Sequence, residues 1–177
     1  MRWLIGAAIG LAVFAIAVVI ARHLPDLSHL ASYGYAGVFV LMVVSGGSIF
    51  LPAPGFAAVM TAGVLWNPLI VGVVAGLGNA TGEFTGYLAG RGGRALIAPR
   101  DSPLWRDAER WLQRFGFPAL VVFSAIPNPF FDAVGIAAGS LGFSARHFWL
   151  ACALGNTVKY TVIAVLGSYA LVLLARG

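Results

Sequence analysis

The chain has 177 residues, of which 60% are hydrophobic and 10% are charged, and its mean hydropathy is +0.90. A soluble domain is about 25% charged, so this composition excludes an ordinary soluble domain and predicts an integral membrane protein. The net charge of +5 suits anionic lipid head groups rather than nucleic acid. The single cysteine, Cys152, lies in an apolar run, which excludes a disulfide framework and predicts a small buried residue.

The first predicted element is a transmembrane helix over residues 3–21, which are uncharged and flanked by Arg2 and Arg22. A cleaved signal peptide is the alternative, because Arg2 resembles its charged start. The apolar stretch is longer than that of a usual signal, which favours a retained helix. A polar connector on the outer side follows it, and the two together occupy residues 1–32.

The next segment, residues 33–91, has an apolar stretch broken by closely spaced prolines. Residues 33–50 are apolar, Pro52 and Pro54 interrupt the stretch, and residues 55–66 are too few to span a bilayer. This pattern predicts a re-entrant helical hairpin, whose broken backbone must be covered by protein or water. Residues 69–90 are then predicted to form a complete transmembrane helix.

The segment of residues 92–116 is basic and amphipathic. Six of the eleven Lys and Arg residues lie here or just before it, which predicts a cytoplasmic loop over residues 91–114: Arg91, Arg94, Arg100, Arg106, Arg110 and Arg114. Ser102 can cap a helix that begins at Pro103 and stops at Gly116. This helix either lies in the cytoplasmic membrane interface or packs on the core with one solvated face.

A second hairpin and helix are predicted over residues 117–172. Residues 117–125 form one arm, Pro127, Asn128 and Pro129 form the break, and residues 130–142 form the returning arm. Residues 148–174 form the last membrane span. This order of elements repeats that of residues 33–91.

The two segments share landmarks at an offset of 75 to 77 residues. The matching pairs are Pro52 and Pro127, Gly63 and Gly139, Asn79 and Asn156, and Gly90 and Gly167. One copy enters from outside and the other from inside, so the predicted topology is inverted. Paired, proline-broken apolar segments of this kind build a binding site near the bilayer midplane. The predicted fold is therefore an all-α integral membrane domain over residues 1–177, with two inverted repeats.

Three ionisable side chains lie inside the apolar segments: Glu83, Asp132 and Lys159. Glu83 is about 12 Å along its helix from Arg91, and Lys159 is about 18 Å along its helix from His147. Charges at such depth are costly, so they indicate a functional site. In this interpretation Lys159 attracts a phosphate head group and an acid exchanges a proton. The alternative is that Lys159 pairs with one acid only to neutralise its charge.

Two matched amides, Asn79 and Asn156, are expected to satisfy broken-helix backbone rather than to contact a ligand. The sequence pattern also excludes a zinc site, a histidine-activated serine nucleophile and a nucleotide-binding loop. The histidines are isolated, no cluster has zinc spacing, and no intramembrane histidine is available to activate Ser45 or Ser48. Residues 82–87 lack the strand and helix context of a nucleotide-binding loop. We therefore expect no enzyme activity, no metal and no cofactor.

Two runs of residues resemble the VTT-domain family, also called the DedA or SNARE-associated Golgi protein family. The first, residues 78–91, is similar to the family's glycine-rich acidic pattern, with one residue fewer before Tyr87. The second, residues 126–132 followed by Ala138 and Gly139, most resembles the branch of the eukaryotic vacuole membrane protein. The resemblance covers about residues 40–170.

The resemblance implies two inverted hairpin-plus-helix repeats and the movement of phospholipids or lipid-linked phosphates between leaflets. It places Glu83 and Asp132 at the family's acidic positions. It assigns the prolines at 52, 54, 127 and 129 to the hairpin breaks. Two departures disfavour proton coupling. Residues 45–50 carry no acid, and Ala125 and residues 130–131 replace arginines found in many bacterial members.

The sequence thus predicts a scramblase-like or flippase-like protein of the bacterial plasma (inner) membrane. Its partners would be membrane lipids, an anionic phospholipid or a lipid-linked phosphate, and no nucleic acid. The head group would cross near Glu83, Asp132 and Lys159 while the acyl chains stay in lipid. A proton-coupled transporter of a small solute and a non-transporting membrane scaffold are the alternatives.

Overall fold

The computed structural model describes residues 28–47, 52–92, 103–127 and 131–175. These ranges contain seven α-helices and no strand, which confirms the all-α prediction. The helices are α1 (Ser28–Gly46), α2 (Pro52–Leu65), α3 (Pro68–Arg91), α4 (Pro103–Phe115), α5 (Phe117–Ala125), α6 (Phe131–Ser140) and α7 (Ala145–Ala175). The predicted helix over residues 3–21, Arg94, Arg100, the cap Ser102, Asn128 and Pro129 lie outside the described residues.

The first helix, α1, is divided by a kink at Gly34. This glycine has φ 55° and ψ −146°, a conformation that L side chains rarely adopt. Residues 28–32, expected in the polar connector, are already helical on the N-terminal side of the kink. The apolar part, Gly34–Gly46, is shorter than a bilayer-spanning helix.

The prolines of the first predicted break begin a helix. α2 starts at Pro52 and also contains Pro54, because proline is tolerated in the first turn, where its missing N–H has no helical partner. The next helix, α3, also begins with a proline, and the Asn67 side chain caps it by accepting a hydrogen bond from Leu69 N at 3.0 Å. With 24 residues, α3 is about 36 Å long.

The amphipathic helix α4 packs on the protein core. Trp105 and Leu112 are buried, whereas Trp111 and Phe115 are 44% exposed. This arrangement agrees with a core-packed helix and leaves two aromatic side chains on its outer face. Gly116, with φ 55°, joins α4 to α5 and allows the sharp change of direction between them.

The last helix, α7, is the longest and begins earlier than predicted. It starts at Ala145 rather than at residue 148, and α6 ends at Ser140 rather than at residue 142, because Gly142 turns the chain with φ 73°. Within the described residues, Ala145–Tyr169 is the one helix whose length and hydropathy both suit a membrane span. The comparably long α3 carries polar residues and several glycines.

The two long helices, α3 and α7, form the centre of the fold and contact each other more extensively than any other pair of described helices. A Cβ on Gly76 would lie 2.5 Å from Thr157 N and 2.6 Å from Thr157 Cα. One turn earlier, Gly72 lies equally close against the backbone of Thr161. Small residues at such crossings let helix backbones approach closely within a membrane.

The short helices pack around this pair in an exchanged pattern, in which α2 and α6 each pack on the long helix from the other half of the chain. α1 packs on α3 and α5 on α7, whereas α2 packs mainly on α7 and α6 on α3. The close contacts come in pairs that match at an offset of 76 or 77 residues. Gly63 packs against Ala164, and the matching Gly139 packs against Tyr87. Likewise Gly90 packs against Ile136, and the matching Gly167 packs against Met60.

Candidate functional site: a buried carboxylate between the long helices

The described interior contains a carboxylate held by two amides. Glu83 on α3 is buried, and its Oε1 accepts a hydrogen bond from Asn79 Nδ2 at 2.7 Å. Its Oε2 accepts one from Asn156 Nδ2 on α7, also at 2.7 Å. Tyr160 OH on α7 donates to Asn79 Oδ1 at 3.0 Å. These four residues, which we call the Glu83 cluster, link α3 to α7.

Helical spacing explains why the four side chains meet. Asn79 and Glu83 are four residues apart on α3, and Asn156 and Tyr160 are four apart on α7, so each pair lies on one helix face. The glycine-lined crossing of α3 and α7 brings the two faces together. Under the offset of 77 residues, Asn79 corresponds to Asn156 and Glu83 to Tyr160.

The hydrogen bonds offset the cost of burying the carboxylate. A buried charged or polar group is costly unless it is paired or hydrogen-bonded, and bonds to a charged acceptor are about twice as strong as neutral ones. Within the described part of the chain, Asn156 Oδ1 is buried and has no hydrogen-bond partner. One acceptor of the cluster, Asn156 Oδ1, therefore receives no hydrogen bond from a described donor.

A lysine lies beside the cluster without a direct salt bridge to a described carboxylate. Lys159 is 9% exposed, and its Nζ lies 4.8 Å from the centre of the Tyr160 ring, a cation–π contact. Among the described residues, neither Glu83 nor Asp132 forms a salt bridge with Lys159. A direct salt bridge is therefore not formed, although Glu83 lies near enough to attract the Lys159 ammonium, so the charge-neutralising alternative stays open.

Asp132 lies in the first turn of α6, near the face of α3 that carries Glu83. Its backbone oxygen is 3.9 Å from the position that a Cβ on Gly86 would occupy, three residues after Glu83. A carboxylate in the first turn of a helix interacts favourably with the positive, N-terminal end of the helix dipole. Asp132 is half-buried, so it borders the site without joining the cluster.

The structure thus brings some of the predicted site residues into contact but not others. Asn79, Glu83 and Asn156 are in direct contact, and the two amides bond the carboxylate rather than broken-helix backbone. Pro127 follows α5 and is exposed, while Asn128 and Pro129 lie outside the described residues. Sequence reasoning missed Tyr160, although its place four residues after Asn156 mirrors that of Glu83 after Asn79.

A second polar contact joins α3 to the turn before α7. Tyr87 OH donates to Phe143 O at 2.6 Å and accepts from Arg91 Nη1 at 2.8 Å. Arg91 Nη1 also donates to Phe143 O at 3.2 Å, and the buried Tyr87 ring stacks on Phe148. These bonds fix the end of α3 against the beginning of α7, on the side of the predicted cytoplasmic loop.

Comparison with known proteins settles the family. The VTT domain model matches residues 51–169, about two thirds of the chain, and this range includes the whole Glu83 cluster. The chain belongs to the VTT domain family. Its members are membrane proteins, often proposed to be transporters or flippases, so this chain is a membrane protein. No curated protein and no solved structure matches the chain significantly. The vacuole membrane protein branch stays a prediction.

Proposed function

We propose that this VTT domain protein moves phospholipid or lipid-linked phosphate between the two leaflets of a membrane. The head group would pass Lys159 and Asp132 at the Glu83 cluster, while the acyl chains stay in the bilayer. The observation that carries this proposal is the buried cation Lys159, which has no salt bridge to a described residue. It lies against a polar cluster in an otherwise apolar helical bundle.

A buried cation that forms no direct salt bridge to a described carboxylate favours the binding of an anion. Intramembrane lysine is expensive, and such residues pair with one another or border substrate paths. Lysine binds phosphate as a compact point charge, so a phosphate head group suits this position. α5 ends next to Gly155, where a Cβ would lie 2.9 Å from Ala125 N, and Lys159 is one turn further along α7. The lysine would therefore face the region where the second hairpin turns.

The proposal includes two inverted repeats, each a re-entrant hairpin followed by a long helix. The exchanged packing of α2 on α7 and α6 on α3 supports this topology, as does the pairing of close contacts at a constant offset. A site on the axis between such repeats would be reachable from both leaflets. We place the protein in the bacterial plasma membrane with residues 91–114 in the cytoplasm, because the arginines concentrate there.

A second candidate, a proton-coupled transporter of a small solute, is favoured by the unpaired oxygen of Asn156. If the Glu83 carboxyl gained a proton it would become a donor, and Asn156 Oδ1 is a buried acceptor without a described partner. The Asn156 amide would then turn to accept this hydrogen bond, so its orientation would depend on whether Glu83 is protonated. A flux that depends on pH, and loses that dependence in Glu83→Gln, would favour this candidate.

The proposal is tested by a lipid scrambling assay on purified protein in liposomes that carry fluorescent phosphatidylglycerol. Dithionite bleaches only label that reaches the outer leaflet. We expect the native chain to expose inner-leaflet label, Lys159→Ala to slow this strongly, and Lys159→Arg to restore it in part because the charge returns. Arg146→Ala, an exposed arginine on the same helix, is the charge-matched control.

The outcomes separate the candidates. Bleaching confined to the outer leaflet with the native chain would reject scrambling of this lipid. Equal rates in Lys159→Ala and native protein would reject the lysine as part of the path. A non-transporting scaffold requires that Glu83 and its partners tolerate joint apolar replacement without loss of function.

A further inference from the structure

An apolar groove lies on the outer surface between α4 and α5, away from the Glu83 cluster. It has a volume of about 190 Å³ and is lined only by apolar side chains. α4 contributes Trp111 and Phe115, and the first turns of α5 contribute Pro118 and Val122. The remaining lining residues come from α5 and from Ile126, which directly follows it, so the groove lies along the α4–α5 corner.

The corner that forms the groove is fixed by backbone geometry. Gly116 adopts φ 55° and ψ −123°, and its N–H bonds Leu112 O at 2.8 Å. Trp111 lies edge-on to Phe123 of α5, with ring centres 6.2 Å apart, and 5.0 Å from the Phe115 ring. Rigid aromatic walls therefore border the groove on the α4 side.

One positive charge, that of Arg114, lies at the end of the groove near Gly116. The Arg114 guanidinium carbon lies 5.2 Å from the centre of the Phe115 ring, and among the described residues Arg114 forms no salt bridge. The His147 ring, in the first turn of α7, lies edge-on to Phe117 at 6.3 Å. One turn earlier on α4, Arg110 is already paired with Asp107, so Arg114 is the α4 arginine at this rim available to an anion.

We propose that this groove binds one acyl chain of an anionic phospholipid, whose head group lies against Arg114. Isolated apolar side chains on a membrane protein face lipid without specificity. Here a concave apolar surface ends at Arg114, a cation with no salt bridge to a described residue, and the two features match the acyl chain and the head group of an anionic lipid. Aromatic residues beside arginine at a helix end also mark the membrane interface, where such a lipid resides.

This site is independent of the transport path. Its lining residues belong to α4, to α5 and to Ile126 directly after α5, whereas the Glu83 cluster belongs to α3 and α7. The bound lipid would brace the α4–α5 corner rather than cross the membrane. Loss of the site is therefore distinguishable from loss of scrambling.

The experiment counts the lipids that stay bound to the purified chain. Protein is extracted from liposomes of equal amounts of dioleoyl phosphatidylglycerol and dioleoyl phosphatidylcholine, and native mass spectrometry measures the lipid retained. Val122→Trp fills the groove at a position that is 55% exposed and so tolerates a larger side chain. Val158→Trp, at an exposed position on α7, is its matched control.

The charge is tested separately with Arg114→Gln. We expect it to lower the retained ratio of phosphatidylglycerol to phosphatidylcholine by about fivefold, since one basic residue near an anionic membrane contributes about 1 kcal/mol. Arg106→Gln, two turns earlier on α4, should leave the ratio unchanged. Val122→Trp should lose the bound phosphatidylglycerol that native protein and Val158→Trp retain.

Three results would overturn the proposal. Equal retention in Val122→Trp and Val158→Trp would show that the groove holds no lipid. Equal ratios in Arg114→Gln and native protein would show that the head group is not selected there. A dimer mass that Val122→Trp abolishes would assign the groove to a second copy of the chain.

Discussion

The hydrogen bond between Asn156 and Glu83 can be tested by replacing each residue with leucine, singly and together. Asn156→Leu leaves Glu83 Oε2 without the donor now at 2.7 Å, and Glu83→Leu leaves two amide N–H donors without their acceptor. The double variant removes both ends of the contact and leaves only the Asn79 donor unsatisfied. It should therefore be less destabilised than the sum of the single variants.

The structure sets the size of this coupling. Interhelical hydrogen bonds between membrane helices couple by about 0.6 kcal/mol on average and by up to about 1.7 kcal/mol. Because the acceptor is a buried carboxylate, the Asn156–Glu83 coupling should lie at the upper end, at about 1.5 kcal/mol. Asn156→Leu alone should cost about 1–2 kcal/mol, since the lost bond is partly offset by removal of the unpartnered Oδ1.

The assay is reversible unfolding in mixed detergent micelles with increasing dodecyl sulfate, followed by circular dichroism. A parallel cycle with Glu83→Leu and Val158→Leu provides the control, because Val158 is exposed on α7 and is expected to act independently. A coupling between Asn156 and Glu83 below about 0.5 kcal/mol, the range of ordinary additivity, would refute the reasoning.

Three further predictions concern the backbone and the ends of the helices. Gly76→Ala should cost about 1–3 kcal/mol, because its Cβ would lie 2.5 Å from Thr157 N in the α3–α7 crossing. On the same helix Gly86→Ala should be neutral or stabilising by up to about 1 kcal/mol, and denaturation of both variants would compare them. Tyr87→Phe removes the hydroxyl that joins α3 to the turn before α7. It should speed amide hydrogen exchange in residues 141–147 and cost about 1 kcal/mol, and unchanged exchange would contradict this. Gly34→Ala should cost about 1–3 kcal/mol by backbone strain alone, since nothing lies within 4 Å of its Cβ position, and an unchanged midpoint would argue against the kink.

Much of the helical architecture could be predicted from apolar stretches and their stop signals. α5 has the predicted limits, and α3 extends the predicted range by one residue at each end. The start of α7 was misplaced because Arg146 and His147 read as an interface, yet both lie in the first helical turn. The kink at Gly34 was missed, since glycine in an apolar stretch does not reveal its φ.

The candidate site was predictable residue by residue but not as a set of bonds. Glu83, Asn79 and Asn156 stood out as polar residues in apolar segments. Their mutual bonding depends on the rotation of α3 against α7, which the glycines at 72 and 76 fix and a linear pattern does not express. For the same reason the sequence did not reveal that Lys159 packs on the Tyr160 ring without a direct salt bridge to Glu83 or Asp132.

The docking of α2 against α7 also constrains how the protein is assembled in the cell. α2 ends at Leu65, and its main partner begins at Ala145, so ribosomes translating about 5–20 residues per second need roughly 4–16 s to supply it. During this interval α2 can pack on α1 and α3 but lacks its main packing partner, α7. An insertase or chaperone that shields it until the last helix emerges would therefore set the yield of folded protein, and chains truncated before residue 145 should be degraded.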